Sequence, residues 1–201
     1  MRARDAAVLI ILATAAHADS EAGTNSGAAP ETEGLVSRWV EMPAHRALLR
    51  DLTEDPTIPL PFTTDGCSGG MSSMWQVAAD TMPDLADVLG QHPPWEECCV
   101  IHDRAYHNIA GAMTPQDSFD ARLTADLELR SCVIGSADLH ADRLADYYDL
   151  STDFVRAGFE QMAKAMFTSV RLGGGPCTAL PWRWGFGYPN CIVSFRDLGS
   201  D

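Results

Sequence analysis

The sequence predicts a mainly α-helical domain, on three observations. Apolar residues recur at helical intervals over long stretches, strands nowhere alternate with helices, and proline, threonine and glycine stand where helices would start and stop. Arg2 and Arg4 precede the apolar run Val8-Leu9-Ile10-Ile11-Leu12, and Ala16-His17-Ala18 has the small-x-small form of a cleavage site, so residues 1–18 read as a signal peptide. That run is too short to span a bilayer. Residues 19–34 are small, polar and poor in aliphatics, a flexible leader, and the folded domain is expected over 35–201.

From Leu35 to Leu52 the pattern predicts one or two short helices, interrupted near Pro43. Pro56, Pro59 and Pro61 make the next segment an extended connector, and Thr64-Asp65-Gly66-Cys67-Ser68-Gly69-Gly70 is a loop by composition. Met71, Met74, Trp75, Met82, Leu85, Val88 and Leu89 give the stretch up to Glu97 a helix of its own. Pro93-Pro94-Trp95-Glu96-Glu97 opens a helix expected from about Trp95 to Ala110 and stopped near Gly111. Thr114-Pro115-Gln116-Asp117 starts another, running to about Cys132 or Val133. A third carries Leu144, Tyr148, Val155, Phe159, Met162 and Met166 between Leu139 and Leu172, mostly as core packing, and ends at Gly173-Gly174-Gly175. The remainder from Pro176 reads as irregular or a short hairpin. Its Trp182, Trp184, Phe186 and Tyr188 read as a cover on the core, with an anchor in a lipid headgroup region as the other reading.

Composition narrows the partners. The chain has 201 residues, 46% of them hydrophobic and 21% charged, which suits a globular protein and excludes global disorder. Lys and Arg number 14 against 28 Asp and Glu, a net charge of -14, so nucleic acid is excluded as a partner and charge does not draw the protein to anionic membranes. The signal peptide predicts a secreted protein, extracellular or periplasmic. All six cysteines lie beyond it, and in an oxidising compartment an even number predicts three disulfides. Cys177 and Cys191 bracket one short segment and are expected to close it. Adjacent Cys98 and Cys99 should reach different partners, which leaves the other pairings open.

The chemistry concentrates in Cys98-Cys99-Val100-Ile101-His102-Asp103-Arg104-Ala105-Tyr106. At 100° per residue Cys98, Cys99, His102 and Tyr106 share one helix face, with Asp103 beside it. In the following helix Asp126 falls on the apolar side, where a carboxylate needs a partner, and His102 is the candidate. An imidazole held by a carboxylate on one nitrogen can take a proton from water with the other. Asp103, Asp65 and the carbonyls of the glycine-rich loop offer the hard oxygens that Ca2+ prefers, and such a cation polarises an ester carbonyl. A zinc site at Cys98, Cys99, His102 and His107 is disfavoured, because export favours cystines over thiolates.

Cys98-Cys99-x-x-His102-Asp103, with Tyr106 following, resembles the active-site helix of the secreted phospholipase A2 superfamily, its prokaryotic-type members above all. Asp65-Gly66-Cys67 is similar to their calcium-loop segment, and Asp126 with Cys132 six residues on extends the likeness over residues 62–134. The resemblance implies an antiparallel helix pair linked by disulfide to a calcium-binding loop, to which residues after Leu139 add a further helical region. It implies His102 as general base, Asp126 as the carboxylate that orients it, and Tyr106 as a hydrogen-bond donor to Asp126. Asp65, Gly66 through its carbonyl, and Asp103 are the implied Ca2+ ligands, and Cys67–Cys99 and Cys98–Cys132 the implied disulfides. The activity implied is calcium-dependent hydrolysis of the sn-2 ester of glycerophospholipids at a membrane or micelle surface. The alternative is a non-catalytic lipid- or protein-binding module on the same scaffold.

Overall fold

A computed structural model describes residues 29–67, 71–81 and 83–199, with side chains from Arg38 onward except those of residues 83–85. The signal peptide, most of the leader and the Ser68-Gly69-Gly70 part of the loop lie outside the described residues. The structure is mainly helical with no strand among the described residues. No described helix is long and apolar enough to cross a membrane.

The first helix, α1 (Ala29–Glu54), begins six positions before Leu35 and runs unbroken through Pro43. Proline removes one helical hydrogen bond. The face formed by Met42, His45, Leu48 and Leu49 is buried on both sides of it, and that packing outweighs the lost bond. After the proline-rich connector come two short helices, α2 (Met71–Thr81) and α3 (Pro83–Leu89), where one was expected. Their Val88, together with Trp75, packs toward Trp95 and Phe159.

The next helix, α4 (Glu96–His107), stops three residues short of Ala110. Ile109, Ala110 and Gly111 turn left-handed (φ 55°, 49° and 73°). Asn108 steadies the turn by accepting a hydrogen bond from the Ala110 amide at 3.1 Å, and Ile109 is buried in exchange for its unfavourable φ.

Thr114 caps α5 (Pro115–Tyr148) by accepting from the Asp117 amide at 3.1 Å, as the sequence predicts. This helix does not break at Val133 but continues for 34 residues in all. Gly135 is the one breaker there and costs about 1 kcal/mol. Buried Val133, Ala137, Ala141, Leu144 and Ala145 offset it by packing against α6 (Thr152–Gly173). Asp149 in the left-handed conformation and the Ser151 cap make the hairpin between the two. Val155, Phe159, Ala163 and Met166 form the buried stripe of α6, as core packing requires.

The segment 176–194 is irregular, with no hairpin, and ends in a 3-10 turn, Phe195–Leu198. Arg50 of α1 donates to the Asp197 carboxylate at 2.6 Å and holds that turn in place. Of the aromatic residues of the segment Trp184 is 0% exposed and covers the core, while Trp182, Phe186 and Tyr188 are half-buried.

Candidate active site

All three disulfides are present: Cys67–Cys99, Cys98–Cys132 and Cys177–Cys191. The first joins the 64–67 segment to α4, and the second joins α4 to α5. Successive pairings along α4 run backward along α5: Cys98 with Cys132, His102 with Asp126, Tyr106 with Arg122. The two helices are therefore antiparallel, with the second disulfide beyond one end of the polar contacts.

Between these helices lies a hydrogen-bonded group that water barely reaches. His102 Nε2 stands 2.8 Å from Asp126 Oδ1, and Tyr106 Oη donates to the same oxygen at 2.7 Å. Asp126 is 0% exposed and His102 6%. A carboxylate only accepts, so Nε2 carries the proton and Nδ1 keeps a lone pair. Nδ1 faces Asp103, whose Oδ1 is 3.8 Å away. Burial pulls the His102 pKa down, but hydrogen bonding and charge from Asp103 and Asp126 outweigh it and raise the group above its ordinary value. Burial, with the Asp126 charge, pushes the Tyr106 phenol well above its usual range, so it stays protonated and remains a donor.

Asp103 reaches the loop. Its Oδ2 accepts from Thr64 Oγ1 at 3.0 Å, and that hydroxyl accepts from the Gly66 amide at 3.2 Å. Gly66 has φ +85°, and a Cβ there would crowd Glu96 Oε1 and Ser72 Oγ, so a larger residue would take a strained backbone and push both side chains aside. Ser72 bridges the two sides, accepting from the Cys67 amide at 2.8 Å and donating to Glu96 at 2.9 Å. Asp65 is exposed. No three His, Cys, Asp or Glu side chains among the described residues converge as a metal cluster. Asp103, Asp65 and the Gly66 carbonyl are hard oxygens of the chemical kind calcium takes, fewer than the roughly six to eight it requires.

Several residues at this site had escaped the sequence reading. Arg122, 0% exposed, donates through Nε to Tyr106 Oη at 3.1 Å and through Nη2 to the Val170 and Arg171 carbonyls at 2.7 and 3.0 Å. Arg171 Nη1 donates to Asp126 Oδ2 at 2.9 Å. Glu41 of α1 accepts from both arginines. Arg122 had a signal, since it sits four residues before Asp126 on the same apolar face and is as anomalous there. Arg171 and Glu41 had none. His45 is structural: its Nδ1 pairs with Ser118 Oγ at 2.8 Å, and that hydroxyl accepts from Trp184 Nε1 at 2.9 Å.

Compared with protein-family models, with curated proteins and with solved structures, the chain matches none of them.

Proposed function

We propose that this protein is a secreted, calcium-dependent ester hydrolase of the phospholipase A2 type, acting on the sn-2 ester of glycerophospholipids. The observation that carries the reading is a buried carboxylate, Asp126, gripped on one oxygen by both His102 Nε2 and Tyr106 Oη while His102 Nδ1 faces Asp103 and the loop. A binding module has no need of that register.

In this reading Asp126 fixes the imidazole with its free lone pair toward the loop. A water placed there gives a proton to Nδ1 as its oxygen attacks the ester carbonyl carbon. His102 then returns the proton to the departing glycerol oxygen, leaving a fatty acid and a lysophospholipid. Asp126 stabilises the imidazolium formed between the two steps, and Tyr106 keeps Asp126 from rotating. Asp103, Asp65 and the Gly66 carbonyl would hold Ca2+, which when bound supplies a Lewis acid for the ester carbonyl and a countercharge for the substrate phosphate. The three cystines suit an oxidising compartment.

Fatty acid release from phosphatidylcholine vesicles by the oxidised protein, with calcium or with chelator, tests this directly. The expected result is calcium-dependent sn-2 cleavage that falls by about 100-fold or more in His102→Ala. No cleavage by the calcium-loaded wild type, with vesicle binding intact, would leave a lipid-binding module instead.

A further inference from the structure

Resting on the reading above, we infer that Arg171 is a positioning residue for the proposed reaction, the hydrogen-bonded permanent countercharge that holds Asp126 in the rotamer His102 requires. The two oxygens of Asp126 are used differently. Oδ1 takes His102 and Tyr106, both neutral in the resting state of a general base, while Oδ2 takes Arg171 Nη1 at 2.9 Å. Arg122 Nε also stands near Oδ2, but at 4.0 Å it is beyond hydrogen-bond reach, so without Arg171 an anion 0% exposed would be hydrogen-bonded to neutral donors alone, which is costly. A guanidinium stays charged at every working pH, so it compensates Asp126 whether His102 holds its second proton or not.

The guanidinium is itself fixed. Its Nη2 is bound by Glu41, the same carboxylate that binds the fully buried Arg122. Arg122 in turn donates to the carbonyl of Arg171 and to the Tyr106 hydroxyl. Two arginines, Arg171 and Arg122, thus alternate with two carboxylates, Asp126 and Glu41, and a side chain anchored at both ends leaves Asp126 little freedom to swing. Glu41 and Arg171 come from α1 and α6, so the His–Asp pair is set by helices outside the segment that carries its sequence signature.

The test compares wild type with Arg171→Gln and Arg171→Lys by two readouts. One is steady-state hydrolysis of phosphatidylcholine vesicles with calcium. The other is the far-downfield proton NMR resonance of His102 Nε2–H bonded to a carboxylate, assigned by its loss in Asp126→Asn. Arg171→Gln should lower kcat about 10- to 100-fold with KM within a factor of two, as misplacement of a reacting group does, and should weaken or shift the resonance. Arg171→Lys, keeping the charge, should recover part of both. A folded Arg171→Gln protein with wild-type kcat and resonance overturns the inference, as does a lysine variant no better than the glutamine one. Should Arg171→Gln not fold, Glu41→Gln, which removes the anchor, decides on the same readouts. The resonance needs no substrate, so if the wild type hydrolyses no lipid the catalytic reading fails while the resonance still decides whether Arg171 positions the pair.

Discussion

Helix α4 is anchored by covalent bonds at its first turn and by hydrogen bonds at its last. Around Cys98 and Cys99 two cystines tie it to the loop and to α5, within a core of apolar side chains such as Leu129, Val133, Phe159 and Met166. Around Tyr106 the core contains Leu48, Ile109, Ala125 and Trp184, and charged groups run through it. There the amides of Gly185 and Gly187 donate to the carbonyls of Tyr106 and His107 at 2.7 and 3.0 Å, closing helical groups that would otherwise lack partners. A Cβ on Gly187 would lie 2.6 Å from the His107 carbonyl oxygen, so the approach depends on glycine. The second core has a cystine of its own, Cys177–Cys191, but that one closes the 177–191 segment on itself and does not reach α4, so the last turn of the helix depends on its donors and acceptors. His102 lies between the two, one helical turn from each.

The sharpest way to break this comparison is Trp184→Ala. It empties a fully buried site, removes the edge-on contact with Tyr106 at 5.0 Å and takes the indole donor from Ser118. The expected loss is about 3–5 kcal/mol, read from the urea midpoint at unchanged m-value. Next comes the double replacement Cys98→Ser with Cys132→Ser. The cystine spans a separation of 34 residues and acts mainly on the unfolded chain, so a loss of about 2–4 kcal/mol is expected. A larger loss in the cysteine variant than in Trp184→Ala would reverse the ranking of the two regions.

The smallest effect concerns the outer edge of the second core, where Asp197 meets Arg50. Burial pushes the Asp197 carboxyl up, but hydrogen bonds from Ser194 and the Arg50 guanidinium hold it below the usual carboxylate range. Its stabilisation is therefore present above the unfolded value, near pH 4, and is lost as pH falls through the lower folded value. Asp197→Asn should cost about 1–2 kcal/mol at pH 7 and progressively less toward pH 3, measured by urea unfolding at each pH. A gap that stays constant with pH would remove the ion pair from the account.

The two regions also differ in how legible they were. The His102–Asp126 pair, the Tyr106 contact and the pairing of Cys98 and Cys99 all lie within two neighbouring helices and one loop, where helical periodicity and a recognisable spacing bring residues together. Arg171 and Glu41 are 130 positions apart, and no local pattern registers a contact of that range. The continuity of α5 through Val133 was hidden for a related reason: Gly135 reads as a local stop, while the packing that overrides it comes from α6. Pro43 misled in the same way, because the buried face of α1 decides what a single missing hydrogen bond does not.

The alternating charges around Asp126 bear on the order in which the molecule is completed. Synthesis runs from the amino terminus, so His102, Tyr106 and Asp126 are in the growing chain well before Arg171 and the Trp184 segment that seal them. Until those arrive, Asp126 lacks the hydrogen-bonded guanidinium of Arg171 and has only Arg122 Nε, 4.0 Å from its Oδ2, as a cation nearby, Tyr106 has no indole on its ring, and the carbonyls at the end of α4 are open to water. Contacts of such sequence separation are entropically late. The nascent chain therefore carries the His102–Asp126 pair before the contacts from Arg171 and Trp184 that complete its surroundings.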